Sequence, residues 1–229
     1  MHASIRTGLV LILLAAGCGG DAEEPRLGDA RSTPGTTLVA SLGDSITAGS
    51  PAWDPDEAVR RQAGASDPRS QYEYWAERRL RGVRFRNCGV FGERTDQIAR
   101  RLDRCARGAK VLIVQGGIND IAQGRGVEEA ARDLRAMARR GRELGLRVAL
   151  VEVLPWDNGY PRADPLIRAL NRRIGAIGRD LRVPVYPWYD RLESPGRPGR
   201  MGPGLTADGD HPSVDGYRRL AADVRLPRR

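Results

Sequence analysis

Two residue types in this chain are spaced so that together they could do nucleophilic chemistry: a serine in Gly43-Asp44-Ser45-Ile46 and a histidine in Asp208-Gly209-Asp210-His211-Pro212. A serine hydroxyl is a weak nucleophile until a neighbouring base takes its proton, and imidazole is the usual base near neutral pH. The only other histidine is His2, which lies in a stretch that reads as an export leader. His211 is therefore the one imidazole left to serve Ser45, and the pair points to a hydrolase.

The elements that would position this pair can be read from hydrophobic periodicity. Leu38 to Leu42 is a short apolar run ending in Gly-Asp-Ser, as a buried strand does at a sheet edge. Gln71 to Arg81 has helical spacing, and Val83 to Cys88 alternates as a half-exposed strand near a sheet edge does. Glu93 to Ala106 reads as one helix with Ile98, Leu102 and Cys105 on a stripe. Val111 to Val114 and Val148 to Leu154 read as buried strands, with Val127 to Leu144 the longest helix between them. Pro165 to Leu181, Val183 to Tyr186 and Val214 to Val224 complete the series as helix, strand and helix. This alternation predicts a single three-layer α/β/α domain with a five-stranded parallel sheet in flavodoxin-like order.

In such sheets the ligand site lies outside the carboxyl ends of the strands. Ser45 follows the first strand, Gly89 and Gly92 the second, Gly117-Ile118-Asn119-Asp120 the third, and Asp208 to His211 the fifth. Each motif alone also reads as a turn or a helix cap. Together and in this order, Gly43-Asp44-Ser45, Asn87-Cys88-Gly89-Val90-Phe91-Gly92, Gly117-Ile118-Asn119-Asp120 and Asp208-Gly209-Asp210-His211-Pro212 resemble the SGNH (GDSL-type) hydrolase family, over about Leu38 to Tyr217. The resemblance implies a nucleophile at Ser45, a base at His211 and an orienting carboxylate at Asp208. It also implies an oxyanion hole made by the backbone N–H groups of Ser45 and Gly92 and the side-chain amide of Asn119. Asp210 is the competing carboxylate, expected to point elsewhere. Gly89 is expected to serve its turn, and Asp44 and Asp120 to bond loop amides.

Composition narrows the function further. The net charge is +9, but Lys110 is the only lysine and the arginines interleave with acids, as solvated helix faces do. Neither zinc-finger spacing nor an RNA-recognition aromatic pattern occurs, so no nucleic-acid partner is expected. A lone histidine with scattered acids makes no zinc site, and Gly-x-Gly-x-x-Gly does not follow the first strand; neither metal nor cofactor is expected.

Arg6, the apolar run Leu9 to Ala16 and the small residues before Cys18 form a leader too short to span a bilayer. Leu14-Ala15-Ala16-Gly17-Cys18 resembles the lipobox of bacterial lipoproteins, which implies lipidation of Cys18, a signal peptide over 1–17, a tether over 18–36 and a hydrolase domain over 37–229. The protein is then expected to be exported, anchored by lipid on the extracytoplasmic side, and monomeric. An ordinary secretory signal is the alternative.

Cys88 and Cys105 are permitted to pair in an oxidising compartment, but one ends a strand and the other lies near the end of the next helix; sequence leaves the pairing open. The loops 49–70, 155–164 and 192–207 carry Trp53, Trp156, Tyr160 and Met201, expected to wall the substrate pocket. The expected activity is a serine esterase working through an acyl-enzyme on a lysolipid, thioester or similar substrate. Its alternatives are a carbohydrate O-acetylesterase or acetyltransferase, and a lipid-anchored protein that binds without turnover.

Overall fold

The central strands of this chain are apolar on both sides, so they need cover on two faces, and the computed structural model, which describes residues 35–227, supplies it. In chain order the elements are β1 (Thr37–Gly43), α1 (Ser45–Ala48), α2 (Glu57–Ala63), α3 (Tyr72–Arg79), β2 (Val83–Gly89), α4 (Thr95–Arg100), α5 (Leu102–Ala106) and β3 (Val111–Val114). There follow α6 (Ile118–Ala122), α7 (Val127–Glu143), β4 (Arg147–Val151), α8 (Asp164–Leu181), β5 (Val185–Tyr186), α9 (Trp188–Leu192), β6 (Glu193–Ser194), β7 (Arg197–Met201) and α10 (Val214–Asp223). Strands β1 to β5 form one parallel sheet in the order β2-β1-β3-β4-β5, and β6 and β7 pair as a small antiparallel hairpin.

Successive side chains of a strand point to opposite faces, and the two cores follow that period. Leu38, Ala40, Leu42, Leu112, Val114, Val148 and Leu150 meet Ile98, Leu134, Met137, Leu170 and Ile174 from α4, α7 and α8. Val39, Val111, Ile113, Ala149 and Val151 meet Tyr72, Trp188, Tyr217 and Leu220 from α3, α9 and α10. The expected layers and strand order are present. The leader over 1–17, Cys18 and the tether as far as Pro34 lie outside the described residues.

The segment expected to be one helix, Glu93 to Ala106, is two. Gly92 has φ +77°, a left-handed turn that delays the helix to Thr95, and Arg101 interrupts it between α4 and α5. The Arg101 side chain is drawn away toward the sheet, donating to Cys88 O at 2.7 Å and Gly43 O at 3.1 Å while it pairs with Glu93. These long-range bonds override the continuous apolar stripe.

The break lays Cys105 against β2, and Cys88 and Cys105 form a disulfide with Cα atoms 6.1 Å apart. With a sequence separation of 17, closing this loop is worth about 3 kcal/mol through the unfolded chain. A Cys88→Ala/Cys105→Ala variant is therefore expected to melt about 6–12 °C lower than the wild type in calorimetry.

Burial of charge adds a pH dependence. Glu73 on α3 is 3% exposed and its carboxylate oxygens have no hydrogen-bond partner at normal geometry among the described residues. Burial pushes its pKa from 4.5 up to about 8, against the smaller opposing influence of its own backbone amide and the Ser41 and Tyr72 hydroxyls. The folded chain thus keeps a proton that the unfolded chain releases. This contribution is fully present below about pH 4.5 and is lost as pH rises toward 8. Glu73→Gln, which cannot ionise, is expected to show a flatter profile: near wild type at pH 5 and several degrees more stable at pH 8 or above, read by thermal melting at the two values.

Candidate active site

The four-residue helix α1 begins where β1 leaves the sheet, and its first turn presents Ser45. Asp44 caps it, Oδ1 accepting from the Ile46 N–H at 2.9 Å, while the Asp44 N–H and the Thr47 hydroxyl both donate to Gln115 Oε1 at the end of β3. Gly43 has no room for a side chain, because a Cβ there would stand 2.2 Å from Thr47 Oγ1. Asn87 on β2 donates to the carbonyl of Thr47 at 2.7 Å, tying the far end of α1 to the neighbouring strand. Gly89 is needed for the same approach: its φ is not left-handed, but a Cβ would meet Ala48 N at 2.0 Å. Its place is set by packing against α1, rather than by the turn expected from sequence.

The histidine arrives on the loop before α10. Asp208 Oδ1 accepts from the backbone N–H groups of Asp210 and His211 at 2.9 and 2.8 Å, closing a tight turn around Gly209 at φ +88°. That turn brings Asp208 Oδ2 to within 2.8 Å of His211 Nδ1. His211 Nε2 then lies 3.1 Å from Ser45 Oγ, with the serine 5% and the histidine 8% exposed. The structure thus brings Ser45, His211 and Asp208 into one hydrogen-bonded line across 166 residues of chain. Burial works to raise the Asp208 pKa, but bonds from the His211 ring and from the Asp210 and His211 amides outweigh it and hold the carboxyl below the usual range. Asp208 is therefore anionic wherever the imidazole could act as a base.

Asp210 points away from His211, its Oδ1 accepting from Trp156 Nε1 and Asn158 Nδ2. Asp44 is completely buried; desolvation pushes its pKa to about 6, against the lowering influence of the Ile46 amide, Gln115 and His211. Asp120 is also buried and holds the Thr95 N–H and hydroxyl together with Arg125, so it locks α6 to the start of α4.

The residues expected to bind an oxyanion sit on the turn between β2 and α4 and on α6. Asn119 Nδ2 donates to Glu93 O at 3.0 Å, which leaves the amide's second hydrogen for another acceptor. Gln123 Nε2 donates to Gly92 O at 2.9 Å, and no acceptor among the described residues takes the Gly92 N–H. Ser45 N–H lies in the first turn of α1, where no intrahelical acceptor exists.

Three of the four expected pocket residues do something else. Met201, the last residue of β7, is fully buried in the core, and Trp53 stacks with Arg60, 4.5 Å from ring to guanidinium. Trp156 does wall a small slot with Ile46, Gln115, Ile118, Val153, Leu154, Pro155 and Asp210, and Tyr160 lies on the surface under Arg200. Phe91, which periodicity gave no reason to single out, is 66% exposed with its ring 6.0 Å from the His211 ring. Among the described residues no cluster of three or more His, Cys, Asp or Glu could hold a metal ion.

Residues 41–219 match the model of the GDSL-like Lipase/Acylhydrolase family. No curated protein matches the chain. Among solved structures it is similar to a putative lipolytic protein of the G-D-S-L family from Desulfitobacterium hafniense DCB-2, with a TM-score of 0.67 and 16% identity over 82% of this chain and 97% of that one. It is also similar to the lipase/acylhydrolase from Enterococcus faecalis, with a TM-score of 0.63 and 24% identity over 82% and 92% of the two chains. A third is a mutant of Axe2, an acetyl-xylooligosaccharide esterase from Geobacillus, with a TM-score of 0.62 and 18% identity over 82% and 92%.

Proposed function

The chain belongs to the GDSL-like lipase/acylhydrolase family and hydrolyses ester bonds, and from that premise we propose that it is a short-acyl serine esterase in which Ser45, His211 and Asp208 form the catalytic triad. His211 Nε2 takes the Ser45 hydroxyl proton as Oγ attacks the ester carbonyl. The oxyanion of the tetrahedral intermediate is held by the N–H groups of Ser45 and Gly92 and the free hydrogen of the Asn119 amide. Collapse of the intermediate expels the alcohol, which takes the proton from His211 and leaves an acyl group on Ser45. Water, deprotonated by His211, then attacks that acyl group, and the acid leaves as Ser45 recovers its proton.

The single observation that carries the acyl preference is a small slot lined in part by Ile46, the residue that follows Ser45. Lined by Ile46, Ile118, Val153, Leu154 and Trp156, it has a volume of about 10 Å³, the space of about one water molecule. An acetyl methyl fits such a space and a long acyl chain does not. Phe91, on the open side of His211, offers an apolar face to the departing alcohol, such as the ring of a sugar. The similar fold of Axe2, an acetyl-xylooligosaccharide esterase, supports this reading. An acetylated carbohydrate is accordingly favoured over a lysolipid or a long-chain thioester.

Hydrolysis of p-nitrophenyl esters from acetate to palmitate tests the reading. Acetate is expected to be the best substrate, with kcat/KM falling at least tenfold by octanoate; a maximum at octanoate or longer would overturn it.

We further propose that Cys18 carries a lipid anchor, a reading supported by the string Leu14-Ala15-Ala16-Gly17-Cys18 and consistent with a disulfide-bonded domain in an oxidising compartment. Cys18→Ser in the full chain is expected to move the protein from the membrane fraction to the soluble fraction of cells broken in high salt, which screens attraction of the domain to anionic lipid.

A further inference from the structure

The described chain begins at Gly35, at the amino ends of the strands, where the Thr37 N–H donates to Gly82 O. Ser45 lies at the opposite, carboxyl ends. Strand β1 between them has seven residues, or about 23 Å at roughly 3.3 Å per residue. The amino end carries a set of cations without carboxylate partners.

At the amino end, Arg81 precedes β2, Arg107 and Lys110 precede β3, Arg182 precedes β5, and Arg225 follows α10. All five are exposed, and none has a carboxylate partner among the described residues. The acids on this end are already paired: Glu77 with Arg84, Asp103 and Glu143 with Arg140, Asp180 with Arg135, and Asp223 with Arg191. Arg182 and Arg225 stand on the rim of a cleft of about 840 Å³ that Arg142 and Arg147 also line. Leu144, 40% exposed, adds an apolar side chain on the turn between α7 and β4. At the carboxyl end the loops carry both signs: Asp54, Asp56, Glu93, Asp157, Asp208 and Asp210 occur together with Arg60, Arg94, Arg101 and Arg200, and Glu93 is paired with Arg101.

We propose that the amino end of the sheet is a docking face for an anionic lipid bilayer, so that Ser45 opens away from the membrane. Unpaired cations near an anionic surface each add attraction that falls off within a Debye length. The choice of lipid over other polyanions rests on the lipoprotein reading: the 17 residues from Cys18 to Pro34 that remain once the leader is cleaved join the domain at this same end. A domain tethered there meets the bilayer with its basic face, and its catalytic end turns toward esters above the surface.

Residues 35–227 hold the whole five-stranded sheet and both cores, so a chain starting at Gly35 keeps every contact described above. This chain is expected to co-sediment with vesicles of phosphatidylglycerol and phosphatidylcholine but not with phosphatidylcholine alone, and to be released by about 0.5 M salt. Arg107→Glu, Lys110→Glu and Arg182→Glu together are expected to weaken vesicle binding by about 100-fold or more, with hydrolysis of a soluble acetate ester unchanged. Equal binding to neutral vesicles, retained binding by an active triple variant, or tighter binding to duplex DNA than to the vesicles at the same salt would each overturn the proposal. Fractionation of full-length Cys18→Ser tests the anchor separately, so either idea can fail alone.

Discussion

Replacing Ser45 with alanine is expected to remove ester hydrolysis almost completely, lowering kcat by about 10⁵–10⁶, and replacing His211 with alanine to do the same. The Ser45 side chain's hydrogen bond is to His211 Nε2, at 3.1 Å, so its loss leaves the cap of α1 and the bonds to Gln115 in place. The fall should therefore appear in kcat with an unchanged melting profile. The double variant should be no slower than either single one, because each removes the same proton-transfer step. Residual hydrolysis should remain above the rate in water, since the amides of Gly92 and Asn119 still polarise a bound carbonyl. A burst of p-nitrophenol in the wild type, absent from Ser45→Ala, would report the acyl-enzyme directly. Turnover by Ser45→Ala within tenfold of wild type would exclude Ser45 as the nucleophile.

What made the fold legible was two-sided burial. Runs such as Val111-Leu112-Ile113-Val114 have no polar face to offer water, and only a parallel sheet covered on both sides accommodates them. The line from Ser45 to His211 to Asp208 was legible for a different reason. The Asp208–His211 contact is local, three residues apart, and sheet topology gathers the ends of β1 and β5 at one edge. What stayed hidden depends on pairs distant in sequence. The stripe Ile98, Leu102, Cys105 continues across Arg101, and nothing local shows that the arginine leaves to bond Gly43 and Cys88. The phase of α5 against β2, which decides whether Cys105 reaches Cys88, depends on that same departure. Gly89 reads as a turn residue because the atom that excludes a side chain, Ala48 N, lies on another element. Met201 reads as a pocket residue because its loop contains a hairpin too short to register as strands.

The two aspartates flanking Gly209 should separate cleanly, and here the second large effect is expected. Asp208→Asn keeps an oxygen for the Asp210 and His211 amides, so the turn survives. It removes the negative charge and can place an N–H against His211 Nδ1, favouring the tautomer whose Nε2 cannot accept the serine proton. A loss of about 10⁴ in kcat is expected, with KM little changed. Asp210→Asn also keeps its acceptor toward Trp156 and Asn158, and it touches no atom in the line to Ser45. Its rate on acetate should stay within a factor of a few of wild type. Asp210→Ala should act differently again, because it frees Trp156 from the wall of the slot and lets longer acyl groups enter. The informative measurement is kcat/KM for acetate and hexanoate esters across the three variants. Asp208→Asn should depress both in proportion, whereas Asp210→Ala should raise hexanoate relative to acetate. If Asp210→Asn cost as much as Asp208→Asn, the carboxylate assignment would reverse. If Asp210→Ala left the acyl preference untouched, the slot under Trp156 would not be where the acyl group lies.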